Sequence, residues 1–183
     1  MTSASSTFTP AFAHLAAYNQ WMNRKLYNAA AALPDEALMQ DRGAFFGSLF
    51  GTLSHLVVAD TIWLQRLAQH PPGFAALQGV GALPKPTALD QHPCATLAEL
   101  TDLRALLDDT LTQFCAELQP AQLAEPFDYA STKGVHSRKV LGQVLQHVFN
   151  HQTHHRGQAS TLFSQMGIDI GATDLLLLLP NVA

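Results

Sequence analysis

SRKVLGQVLQHVFNHQTHHRGQASTLFSQM, running from Ser137 to Met166, has the apolar spacing of a long helix. Leu141, Val144, Leu145, Val148 and Phe149 recur at three- and four-residue steps along one face, and Leu162 and Phe163 extend the apolar content. Ser137 offers an N-cap, and Gly167 follows at the position where a helix turns left-handed and stops.

Three upstream segments read the same way. Residues 1–9 are expected to form a flexible tail. A helix is expected from Ala11 to Leu33, with Pro10 tolerated in its first turn and Pro34 ending it. Asp35 and Glu36 open a short turn of helix. Gly43 and Gly47 bracket a loop, and Ser48 caps a second long helix that stops before Pro71. Residues 70–95 hold five of the ten prolines and form a long connection, with a helical turn expected near Phe74 to Leu77. Thr96 and Glu99 make a capping box for a third helix, which Pro120 closes. Residues 125–136 suggest a short hairpin around Ser131-Thr132-Lys133. Residues 168–183 read as an irregular or briefly helical C-terminal extension. The expected architecture is all-α: a four-helix bundle with one long crossover, built as a single domain over residues 1–183 with no internal repeat.

Composition narrows the function. Charged residues make up only 13% of the 183, against roughly 25% in an average soluble domain, while 48% are hydrophobic. A sparsely charged surface suggests a homo-oligomer, which buries the surplus apolar area. The net charge of −4 opposes a nucleic-acid footprint, which needs a basic face. No apolar run approaches the roughly 20 residues that span a bilayer, and Thr2 to Thr9 lacks the pattern of a signal peptide. Cys94 and Cys115 read as free thiols in a reducing cytoplasm.

Histidine is the outlier, with nine against ten Lys plus Arg. His147, His151 and His155 follow one another at i, i+4 steps, so they share one helix face with Cβ atoms about 5–6 Å apart. Two imidazoles at that spacing can converge on one cation. Local chemistry leaves open whether the pair is 147/151 or 151/155. His154 lies about 100° round the helix from His155. A third ligand must come from another helix. His55, between apolar neighbours on the second long helix, is the candidate, and His14 on the first helix competes with it. His70, His92 and His136 lie in or beside loops and read as ordinary polar residues.

The chain also resembles a known family. The residues that carry the likeness are Tyr18-Asn19-Gln20-Trp21-Met22-Asn23-Arg24, Gly51-Thr52-Leu53-Ser54-His55, Ile62-Trp63-Leu64-Gln65-Arg66-Leu67 and the run His147 to Gln158 with its N-H-x-x-H-H-R-G-Q string. Together they are similar to the DinB family, named for damage-inducible proteins and related to the YfiT-like metalloproteins. The likeness spans Phe12 to Met166. It implies a four-helix bundle with one long crossover, paired as a homodimer, and one divalent metal ion, zinc or nickel, held by His55, His151 and His155. It thereby selects 151/155 as the helical pair, and gives His147 and His154 supporting roles.

Three histidines leave a position open on a tetrahedral ion, the catalytic rather than the structural arrangement. Such a position takes a small-molecule substrate or holds a thiol as thiolate. The wider superfamily implied by the resemblance includes transferases that use bacillithiol or mycothiol, so a thiol-dependent S-transferase is the first expectation. A hydrolase using metal-bound hydroxide is the second, with Asp60 as its weakly placed base. A non-catalytic, stress-related metal-binding dimer is the third. Arg156 is read as a structural ion-pair partner, and Tyr18, Trp21, Asn23 and Trp63 as residues near the pocket without catalytic roles. The apolar run Leu175 to Leu179 is expected to pack on the bundle or on a partner subunit.

Overall fold

The computed structural model describes residues 8–71 and 73–181, with side chains from Ala11 onward. The chain is mostly helical with one small two-stranded sheet. Its helices are α1 (Phe8–Ala31), α2 (Asp35–Met39), α3 (Leu49–Leu67), α4 (Leu97–Glu117) and α5 (Leu141–Gln165). The strands β1 (Pro126–Ala130) and β2 (His136–Val140) pair antiparallel. Of the tail expected over residues 1–9, residues 1–7 lie outside the described residues, and Phe8 already belongs to α1.

Helix α1 packs on α4 and α5, and α3 packs on the same two. The shared core is made of Leu26 from α1, Leu53 and Leu56 from α3, Leu100, Leu107 and Phe114 from α4, and Leu145 and Phe163 from α5, all fully buried. Each such side chain contributes about 1.5–3 kcal/mol on leaving water, which outweighs any single cap or surface pair.

Helix ends follow local chemistry where a side chain supplies it. Ser48 Oγ accepts from the Gly51 amide, and Thr96 and Glu99 form the reciprocal capping box. Gly167, at φ 74°, ends α5 as the amide of Ile168 returns to the Phe163 carbonyl. The Pro-rich connection holds two short 3₁₀ turns, Ala75–Leu77 and Val80–Ala82. Ser137 departs from expectation. It lies in β2 opposite Tyr129 and caps nothing. α5 starts only at Leu141, whose amide donates to the Glu125 carbonyl at 2.9 Å. The hairpin therefore satisfies the helix end that a serine cap would have served.

A buried polar network crosses the centre of the helices. Arg104 of α4 is 2% exposed and lies 2.8 Å from an Asp60 oxygen on α3 and 3.1 Å from an Asp108 oxygen. Asp108 accepts from Asn19 and Asn23 of α1 at 3.0 and 2.9 Å. Gln152 of α5 donates to Asp60, and Arg156 donates to Asn19. All four long helices are thus tied to one set of charges.

The C-terminal extension is held to α1 through its backbone. The Tyr18 hydroxyl donates to the Thr173 carbonyl at 2.7 Å, and Lys25 donates to the Ala172 carbonyl. The leucines of the short turn Leu175–Leu178 are not buried by this contact; Leu176 stays 75% exposed. Among the described residues, no helix is long and apolar enough to cross a membrane.

Both cysteines are free. Burial pushes the Cys115 thiol up to about 12, and raises that of half-buried Cys94, where the Glu99 charge adds to the effect. Reaction requires the thiolate. At neutral pH, an aromatic disulfide reagent should therefore label Cys94 slowly and Cys115 only after unfolding. Two fast thiols in the native protein would contradict this burial pattern.

Candidate metal centre

Three imidazoles meet where α3 faces α5. His55 lies two turns into α3, and His151 and His155 lie one turn apart on α5. One ring nitrogen of each falls within 4.8 Å of the others. The His55 and His151 Nε2 atoms are 3.2 Å apart. The His155 ring centroid lies 4.4 Å from that of His55 and 4.3 Å from that of His151. A tetrahedral ion with bonds of about 2.0–2.1 Å sets its ligand atoms roughly 3.3–3.4 Å apart, so the measured approach suits a shared cation.

The surroundings prepare these nitrogens as ligands. The Leu89 carbonyl accepts from His55 Nδ1 at 2.8 Å, and the Gln158 Oε1 accepts from His155 Nδ1 at 2.7 Å. A neutral imidazole carries one proton, so each ring then offers Nε2 as a bare lone pair. Burial lowers all three pKa values. That of His151 falls to about 3, with the neighbouring histidines adding to the effect. Lone pairs turned towards one another in a largely buried setting repel unless a cation or a proton lies between them. The residues present therefore fit a divalent ion.

Phe46 covers one side. Its ring stacks on His55 at 3.8 Å, nearly parallel, and meets His155 edge-on at 5.5 Å. Gly51 makes that cover possible, because a Cβ there would lie 2.2 Å from the Phe46 carbonyl oxygen. Gly→Ala within a helix ordinarily gains up to about 1 kcal/mol. Here the clash is with backbone, and overpacking costs about 1–3 kcal/mol. Gly51→Ala is accordingly expected to lower Tm and to weaken metal retention as Phe46 is displaced. A raised Tm would refute the close approach.

The other histidines stay apart. His14 is exposed on α1 and takes no part in the group. His147 and His154 are exposed, with His147 against Trp63 and His154 beside His155. His70 is buried and pairs with Glu125 at 3.1 Å, so it is more than a loop residue. His92 meets Phe50, and His136 begins β2. Asp60 is 2% exposed, lies 2.8 Å from Arg104 and accepts from Gln152. Arg156 is buried and donates to the neutral oxygens of Asn19, Gln152 and Thr153, where an ion pair with a carboxylate was expected. Tyr18 and Trp21 lie against each other on α1, and Asn23 serves Asp108.

The sequence alone gives Phe46 and Leu89 no place at the site, and gives Gln158 one only as the last residue of the N-H-x-x-H-H-R-G-Q string. Gln158 had a signal, standing three residues after His155 on the same face. Leu89 had none, since any residue offers a carbonyl.

The sequence profile of the DinB family matches residues 3–181. Protein DinB of Bacillus subtilis (strain 168) is 27% identical over 157 residues, which cover 86% of this chain and 87% of that protein. With a match over nearly its whole length, and a three-histidine group that could hold a metal ion, the chain belongs to the DinB family.

Proposed function

We propose that His55, His151 and His155 hold one divalent cation, zinc or nickel, with a coordination position left for a low-molecular-weight thiol, and that the protein conjugates this thiol to an electrophilic small molecule. The observation that carries the reading is the convergence of three imidazole nitrogens within 4.8 Å. A cation with such an open position supplies Lewis acidity, which makes a bound thiol acidic enough to act as thiolate near neutral pH. The chain's own residues set the conditions. The Leu89 carbonyl and Gln158 fix two tautomers. Burial favours the neutral form of each ring, and the Phe46 ring covers one side. Among the described residues no carboxylate joins the group, and Asp60 is committed to Arg104. That favours thiol activation over hydrolysis, which wants a base nearby. The same reading takes the four long helices as one four-helix bundle, forming a single domain that pairs as a homodimer.

Elemental analysis of the purified protein tests the ion, with one equivalent per chain expected. Incubating loaded and chelator-stripped protein with a panel of thiols and a reactive electrophile tests the activity. Conjugation that depends on metal supports it; equal rates with and without metal would end the transferase reading.

A further inference from the structure

A second concavity has no histidine in its lining. A cavity of about 750 Å³ opens between α3, the connection that follows it and the tip of the β1–β2 hairpin, and none of its lining residues belongs to the three-histidine group. Small-molecule pockets run to roughly 300–1,000 Å³. Its walls are held in place. Gln65 Nε2 donates to the Leu83 and Val80 carbonyls at 2.9 and 3.3 Å. Glu117 accepts from the Ala76 amide at 2.9 Å, and Gln91 accepts from the Thr87 amide at 2.7 Å. The connection is thus pinned to α3 and to α4, and the Thr87–Gln91 bond folds it locally.

The lining combines apolar and cationic surface. Ile62, Phe74, Leu77 and Leu83 are apolar, and Arg66 and Lys85 bring positive charge. The Arg66 guanidinium carbon lies 4.7 Å from the Trp63 ring centre and 5.3 Å from that of Tyr129. Aromatic contact steadies the fork, while its N–H donors remain suited to a planar two-oxygen acceptor. Among the described residues, neither Arg66 nor Lys85 has an ion-pair partner. Asp128 is the cavity's one carboxylate; it is 68% exposed and lies 3.8 Å from Arg138. Two cations against one carboxylate leave room for a single negative charge.

We propose that this cavity binds a small monocarboxylate with an apolar body, its carboxylate held by Arg66 and Lys85 and its body by Ile62, Leu83 and the edge of Phe74. The site stands independently of the metal reading. Isothermal titration of the full chain with octanoate and with 1-octanol tests it. The titration is run on the natural chain with and without prior chelator treatment, so that a carboxylate bound at a metal is recognised by its loss on stripping. Saturable 1:1 binding of octanoate is expected, at least about tenfold tighter than octanol, as befits a hydrogen bond to a charged group. Arg66→Met should weaken octanoate about tenfold or more and leave octanol unchanged. Lys85→Ala, at an exposed position that cannot unfold the protein, should weaken octanoate several-fold. Absence of saturable binding, equal affinity for acid and alcohol, or octanoate binding indifferent to both substitutions would overturn the assignment.

Discussion

A His151→Ala protein should fold and yet lose its cation. Position 151 is half-buried and the truncation leaves no buried charge behind, so helical circular dichroism should persist. Metal affinity should fall by well over about 100-fold, because even the outer partners of metal-bound histidines are worth about 10–100-fold. His151 approaches both other rings, its Nε2 3.2 Å from that of His55 and its ring centroid 4.3 Å from that of His155. Two remaining imidazoles on different helices offer no comparable site. Gln158→Leu should cost about 10–100-fold by releasing the His155 tautomer. His154→Ala removes an exposed ring outside the group and should retain the ion. Chelator competition followed by elemental analysis measures all three. Unchanged affinity in the His151 variant would mean that the imidazoles converge for some other reason.

Arg104→Ala should be among the most destabilising substitutions away from that centre, costing about 3–5 kcal/mol. Arg104 is 2% exposed between two carboxylates that are 2% and 3% exposed. Burial opposes its charge, but Asp108 and Asp60 more than offset that and hold its pKa above the ordinary value. Removing the guanidinium strands two buried carboxylates, which then draw in water or protons. A domain of ordinary stability has about 5–15 kcal/mol to lose, so the variant is left marginal. Replacing Asp60, Arg104 and Asp108 together by apolar residues should recover only part of this. The charges go, but Asn19, Asn23 and Gln152 lose their acceptors. By contrast, the Arg138–Asp128 pair is 68% exposed on both sides, and its loss should cost under about 1 kcal/mol. Urea denaturation separates these cases, and an Arg104→Ala protein as stable as Arg138→Ala would contradict the burial of the network.

The network also bears on the centre. Gln152 and Arg156 each follow a histidine of the group by one residue on α5. Their partners on α3 and α1 fix the rotation and depth of α5. Weakened metal retention is therefore expected to accompany any variant that loosens the network.

Much was legible in the residues alone. The four long helices, the Ser48 and Thr96–Glu99 ends, the Gly167 stop and the one-turn spacing of His151 and His155 all arise from interactions reaching about four residues along the chain, and periodicity and capping chemistry record these directly. Local chemistry left two histidine pairs open, and the family resemblance pointed to His55 with 151 and 155. Other features depended on contacts between distant segments. Ser137 was drawn into a strand, Asp60 was taken up by Arg104, and Arg156 found a neutral amide. The His55 tautomer depends on a carbonyl 34 residues away. Backbone acceptors carry no residue identity, and the meeting of side chains on different helices depends on the rotation and depth at which those helices pack. Neither leaves a trace at short range, so the assembled fold alone settles them.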